Sequence, residues 1–247
     1  MVSIPEKELN HKPLKEEIYD ALHRQIIAGK YGPGDWLRQE DIASHMGVSM
    51  TPVREALDLL VSAGLAERVP YRGVRVRNMS TQDVVEAYGL RLVLEAVTTR
   101  EAVNHITQEQ IAGLEKILNE MTKFVELNDM PRERQLSREF HSAIAEASGN
   151  QLLIKLYAVT ANAFPDWLLY EALYRKPELL AGSVTQTHKE HRAIVDALAE
   201  HDADQAVQAS IEHVLDSGKW LKEYLNIPAE LLREKEKQVI HLIKNSI

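Results

Sequence analysis

The chain has 247 residues, 45% of them hydrophobic and 27% charged, with no cysteine and a formal charge of −8. This length suits about two domains, and the missing cysteines exclude disulfides and thiolate metal sites, so any metal here needs His and carboxylate ligands. No apolar run approaches the roughly 18 residues that span a bilayer, and residues 2–15 are too polar for a signal peptide; a cytoplasmic address without membrane partners is the expectation. The acidic total hides an uneven distribution. Residues 1–78 hold eleven Lys/Arg and eleven Asp/Glu, whereas the remaining 169 carry 18 basic against 26 acidic residues. Arg68, Arg72, Arg75 and Arg77 stand in a segment with no further acid until Asp83. A local basic patch can bind phosphates whatever the sign of the whole chain.

Leu14, Ile18, Leu22, Ile26 and Ile27 recur at helical spacing, and Gly29 lies close to the end of that run. "YGPGDWL" then punctuates the chain with Pro33 and two glycines. A short helix over about 39–46 turns Ile42, Ala43 and Met46 inward and stops at Gly47. Ser49 or Thr51 can cap the next helix, with Pro52 in its first turn, where a missing N–H costs nothing. That helix reaches about Ala63, burying Val53, Ala56, Leu57 and Leu60, and Gly64 ends it. "LAERV" and "VRVRN" read as two short strands around the "PYRG" turn. Helix, helix–turn–helix, β-hairpin is the order of a winged helix.

From Ser80 onward no further strand signal occurs. Ser80 and Asp83 offer a capping box for a long helix to about Asn104, and Thr107 caps a second to about Leu127. A third is expected over 131–147, a fourth over 151–174, a fifth from Pro177 to about His201, and a sixth from Asp202 to about Leu225. Pro228 starts an extra, highly charged helix over about 228–244, with Leu231, Leu232, Val239 and Ile243 on roughly one face. The expected fold is therefore mainly α: an N-terminal winged helix–turn–helix domain with a small β-hairpin over 1–78, then an all-helical antiparallel bundle over 79–247.

DNA reading needs polar donors at the exposed start of the second helix of the pair, and cations around it. Ser49 and Thr51 can bond phosphates or base edges, and Arg54, one turn in, reaches far enough for bidentate contact with guanine. The helix N-terminus itself attracts a phosphate. Tyr71, Arg72 and Gly73 form the wing tip, where glycine allows the tight turn and Arg72 can enter a minor groove.

"GDWLRQEDIASHMGVSMTPVREALDLLVSAGLAERVPYRGVRV" resembles the winged-helix domain of GntR-type bacterial transcription regulators, and "GLRLVLE", "EFHSAIAEASGN", "HKEHRAIVDAL" and "IEHVL" resemble the FCD-type helical effector domain of the FadR branch, in its VanR-like form. The resemblance implies that Ser49, Thr51, Arg54 and Arg72 contact DNA. Met50 departs from it, because the family usually places an arginine there. Methionine donates no hydrogen bond, but it can lie against a thymine methyl.

His141, His191 and His213 fall on three different helices of the bundle, and three converging imidazoles can hold Zn²⁺ or a similar divalent ion. The resemblance implies that these three, with an aspartate four residues before the first, bind the metal; Ser137 stands at that aspartate position. Serine is a poor ligand, though it can hold a metal-bound water. His188, three residues before His191, is a fourth ligand only if its helix face permits. Arg91, in "GLRLVLE", matches a cavity-facing family position that pairs with an effector's carboxylate, while its simplest alternative is a surface ion pair with Glu95 at i+4. Phe164, Trp167, Tyr170 and Tyr174 cluster at helical spacing, as core or dimer packing would have them.

The resulting expectation is a regulator, with repression as the family's commoner mode, that binds a palindromic double-stranded operator as a homodimer. It senses a small organic carboxylate in the helical domain. The alternative is an all-helical metal-binding enzyme using the three histidines, but the chain lacks paired Glu-x-x-His segments, His-Glu-x-x-His and any phosphate-binding glycine loop.

Overall fold

The computed structural model describes residues 13–27, 30–163, 173 and 176–246, and the chain divides into two units, Met1–Asn78 and Met79–Ile247. In the first, α1 (Leu14–Ile27) and α2 (Gln39–Met46) pack on α3 (Met50–Ser62), which leads into β1 (Ala66–Val69) and β2 (Gly73–Val76). Ile18, Leu22 and Ile26 of α1 are buried, as are Val53, Ala56, Leu57 and Leu60 of α3, so the periodic apolar positions do form the core. Between α2 and α3, Gly47 takes φ 66°, a left-handed value that closes α2 with its N–H on the carbonyls of Ala43 and Ser44. β1 and β2 pair antiparallel, Ala66 opposite Val76 and Val69 opposite Gly73.

Two local features differ from the sequence expectation. Ser49 occupies the N-cap of α3 but makes no side-chain capping bond, and Thr51 lies inside the first turn. Neither hydroxyl therefore closes the end of α3, whose first N–H groups have no partner within the helix itself. The "YGPGDWL" segment does more than punctuate: Leu37 N–H donates to Val74 O at 2.8 Å, Val76 N–H to Asp35 O at 2.8 Å, and Trp36 bridges Arg75. The hairpin thus gains a short bridging segment from before α2.

His23 on α1 is buried, and burial pulls its pKa down to about 4, with Asp20 opposing and Arg24 adding. An imidazole kept neutral in the fold but free to protonate in the unfolded chain costs stability as pH falls below its ordinary 6.5. The loss is complete near pH 4 and reaches roughly 3 kcal/mol at about 1.36 kcal/mol per unit. Replacing His23 by Phe is expected to flatten the decline of this unit's melting temperature between pH 6.5 and 4, a comparison read by circular dichroism.

The second unit contains α4 (Thr81–Val103), α5 (Gln108–Met121), α6 (Met130–Ala147), α7 (Gln151–Ala163), α8 (Leu180–Ala199), α9 (Ala203–Leu225) and α10 (Ala229–Ser246). Both capping boxes form: Asp83 N–H donates to Ser80 Oγ at 3.1 Å, and Gln110 N–H to Thr107 Oγ1 at 3.2 Å. Asp202 likewise accepts from Gln205 N–H at 2.9 Å to start α9. Pro177 opens a single 3₁₀ turn, Pro177–Leu179, before α8 rather than the helix itself. Of the fourth expected helix the described part is α7, and Phe164, Trp167, Tyr170 and Tyr174 lie outside the described residues.

α4 packs against α6, α7, α9 and α10. One apolar cluster joins its last turn (Ala102, Val103) to α5, α6 and α8; another joins Val84, Tyr88 and Leu92 to α9 and α10. Leu232, Val239 and Ile243 are the buried face of α10, and Tyr88 donates its hydroxyl to Glu236 at 2.8 Å. The C-terminal helix is therefore built into the bundle. Between the two apolar stretches of α4 lie buried Glu95, Thr98 and Thr99, a polar belt that requires partners.

Candidate metal centre and nucleic-acid interface

In the second unit that belt meets the histidines. His141 on α6, His191 on α8 and His213 on α9 are all buried and bring one ligand nitrogen each within 4.8 Å of one another. His141 Nε2 and His191 Nε2 stand 3.2 Å apart, close to the edge of about 3.3 Å expected between two tetrahedral ligands of Zn²⁺. The opposite nitrogens of two rings meet carboxylates: His141 Nδ1 lies 3.3 Å from Glu95 Oε2, and His213 Nδ1 lies 2.9 Å from Glu190 Oε2. Such carboxylates fix the tautomer that leaves Nε2 as the lone-pair donor. His191 differs, because its buried Nδ1 has no hydrogen-bond partner among the described residues while its ring stacks on Phe140 at 4.4 Å.

Burial favours the neutral form of two of the imidazoles. Burial pushes His191 and His213 well below the usual histidine value, and the neighbouring histidines and arginines add to it. Burial would raise the fully enclosed Glu95, but His141 and Arg91 outweigh it and hold the carboxyl below its ordinary range. Burial also lifts Glu190 to about 7, with Asp216 adding and the Gln186 hydrogen bond opposing. Neutral His191 and His213 offer the ring lone pairs that a divalent cation requires. The three histidines fit a metal.

Arg91 is not a surface residue. Its Nε donates to Glu95 Oε1 at 2.6 Å, so the i+4 pair does form, but inside the bundle, with Nη2 3.2 Å from His213 Nε2. Ser137, also buried, joins Arg91, Arg134, Arg138, His141 and Tyr157 around a pocket of about 30 Å³, room for about two waters. His188 does not join the cluster: its Nε2 lies 3.3 Å from Leu118 O, and the histidines that converge among the described residues are His141, His191 and His213.

In the first unit, Met50, Arg54 and Arg72 line one groove together with Trp36 and Arg38. Met50 is the first residue of α3 and is 46% exposed. Arg54 is exposed too, its Nε donating to Gln39 Oε1 at 3.3 Å. At the wing tip Tyr71 projects fully into solvent and shares left-handed backbone with Gly73, at φ 63° and 114°. The run of four arginines is less free than it reads in one dimension. Arg68 pairs with Asp58 of α3, and Arg75 pairs with Glu67 across the hairpin at 2.6 Å.

The family profile of bacterial regulatory proteins of the gntR family matches residues 14–76, and that of the FCD domain matches residues 86–216. The chain belongs to the GntR family and carries an FCD domain. Among its relatives, the probable D-xylose utilization operon transcriptional repressor of Paenarthrobacter nicotinovorans is 29% identical, over 84% of this chain and 88% of its own length. The HTH-type transcriptional repressor RspR of Escherichia coli is 26% identical, over 86% of this chain and 90% of its own. The solved structure of E. coli McbR/YncC shares the fold, with a TM-score of 0.62 at 22% identity, covering 87% of this chain and 100% of that one. This GntR-family member is thus a transcription regulator, and neither the family nor the relatives' names support the metalloenzyme alternative. Among the described residues no helix is long and apolar enough to cross a membrane.

Several residues of these candidate sites were not singled out by the sequence reading. Arg134 and Arg138 precede His141 at helical spacing and share its pocket, so the pattern carried the signal. Glu190 sits next to His191 but serves His213 instead, a pairing that no linear pattern reveals.

Proposed function

We propose that this chain is a ligand-responsive repressor that binds a palindromic operator as a homodimer and senses a small carboxylate in its FCD domain. The observation that carries the DNA reading is the single groove shared by Met50 and Arg54 of α3 and Arg72 of the wing. An α-helix N-terminus aimed at a major groove and a cation placed for the backbone or adjacent minor groove need that proximity. Ser49 and Thr51 supply hydroxyls at the same helix end, and Tyr71 and Gly73 carry the wing tip beside Arg72. A gel-shift assay against the promoter DNA flanking its own gene tests this. A shifted band competed by that duplex and not by mixed-sequence DNA is expected; no shift overturns the reading.

In the FCD domain, His141, His191 and His213 would hold a divalent ion such as Zn²⁺, which when bound supplies a Lewis-acidic centre for a carboxylate. Ser137 brings no negative charge to the site, and Arg91, Arg134 and Arg138 line the pocket, Arg91 and Arg134 paired with Glu95 and Glu133. Guanidinium groups at the wall suit an anionic effector, and Arg91 can form a bidentate pair with it. In this structure Arg91 lines the pocket and its Nη2 reaches the His213 lone pair, which a divalent ion held by the three histidines would take up instead.

The homodimer is supported by α7, on which Leu152, Leu156 and Val159 form an exposed apolar stripe at 67%, 46% and 69% exposure. A second copy of the chain is the occupant argued here, because a helix–turn–helix reads two half-sites through a two-fold. Leu156→Glu, with its helical content intact, is expected to sediment as a monomer where the native chain sediments as a dimer. A variant that remains dimeric removes α7 from the interface.

A further inference from the structure

We propose that Trp36 is a positioning residue for DNA binding, holding the wing arginine Arg72 against the groove where the phosphate backbone settles. The inference rests on the reading of the first unit as DNA-binding and adds a residue to it. Trp36 lies on the bridging segment that precedes α2, in an isolated antiparallel bridge with Arg75 of the wing. Alternation along that segment turns Leu37 into the core at 2% exposure and leaves Trp36 on the other face, half-buried. The indole is therefore not spent on core packing. Its ring lies 5.4 Å from the Arg72 guanidinium carbon and 6.0 Å from that of Arg75, both within cation–π range.

The two arginines are held differently. Arg75 is also bonded to Glu67 at 2.6 Å, which fixes it and offsets its charge. Arg72 follows Tyr71 at the exposed hairpin tip, where a long side chain would otherwise sample many rotamers. Stacking on Trp36 confines it to the side of the hairpin facing α3. Trp36 thereby becomes a wall of the groove that Arg38, Met50, Arg54 and Arg72 also line, with three arginines there against one carboxylate, Glu40. Three cations around a broad open groove, with an aromatic face holding one in place, suit a sugar–phosphate strand. Preorganising Arg72 spares the ordering cost at the moment of binding.

The test uses the full-length protein and a duplex enriched by the native chain from a random-sequence library, with affinity read by fluorescence anisotropy and fold by thermal unfolding. Trp36→Leu is expected to bind about fivefold to tenfold more weakly. Trp36→Phe, which keeps a π-face, should recover most of that loss. Arg72→Ala should weaken binding too, and adding Trp36→Leu to it should cost little more, because the indole acts through that guanidinium. Native affinity in Trp36→Leu, or a loss fully additive with Arg72→Ala, overturns the proposal. If Trp36→Leu melts early, the same cycle is run with Trp36→Met, which keeps apolar bulk without a π-face, and full additivity there overturns it equally. Failure of the native chain to enrich any duplex would instead overturn the DNA reading itself.

Discussion

Zn²⁺ added to metal-depleted protein is expected to raise the melting temperature of the helical unit by roughly 5–10 °C, and the His191→Ala variant is expected to show no such rise. This follows from mass action. A ligand at about a hundred times its Kd stabilises the state that binds it by about 2.7 kcal/mol, and each kcal/mol moves a domain of this size by roughly 2–4 °C. His191 is the ring to remove because it is fully enclosed, with Nε2 3.2 Å from His141 Nε2. Its loss leaves a cavity and lowers the absolute melting temperature, so the quantity compared is the Zn²⁺-dependent increment. Protons compete weakly near neutrality, because burial holds His191 and His213 below their ordinary value. Ser137→Asp restores a carboxylate to the pocket wall and is expected to enlarge the increment at a given Zn²⁺ concentration. Elemental analysis checks the same claim from the other side: a native protein without stoichiometric metal, or an equal increment in His191→Ala, removes the metal site.

What could be read in one dimension, and what could not, divides along physical lines. The caps of α4, α5 and α9 are local motifs, and Ser80, Thr107 and Asp202 act where their spacing placed them. The apolar faces of α1 and α3 follow the helical period and are buried accordingly. Pairings between distant segments were invisible. Nothing in "YGPGDWL" marks Trp36 as a bridging residue, since its glycines and Pro33 suppress the alternating pattern and the pairing lies with β2. Similarly, "GLRLVLE" offers Arg91 and Glu95 as a surface pair at i+4, and only the packing of α4 against α6 and α9 shows both against His141 and His213. The acid-free arginine run misled for the same reason, because Asp58 of α3 and Glu67 across the hairpin take up Arg68 and Arg75.

On the DNA side, that partial neutralisation puts the weight on Arg54. Arg54→Ala is expected to weaken binding to a selected duplex roughly 10- to 100-fold, the range of about 1–3 kcal/mol for a bidentate base contact. The side chain is exposed, and its partner among the described residues is Gln39 Oε1 at 3.3 Å, so the substitution leaves the core of α3 untouched and its melting temperature near native. Arg54→Lys should recover only part of the loss, since an ammonium cannot make the planar two-point contact. Affinity unchanged in Arg54→Ala would remove this residue from the interface. Met50, at the exposed start of the same helix, is expected to control preference rather than strength. Because it lies at the surface, an arginine there buries no charge, and Met50→Arg is expected to move the selected half-site towards a guanine. Binding-site selection with both proteins measures this, and an unchanged profile would show that Met50 does not face the bases.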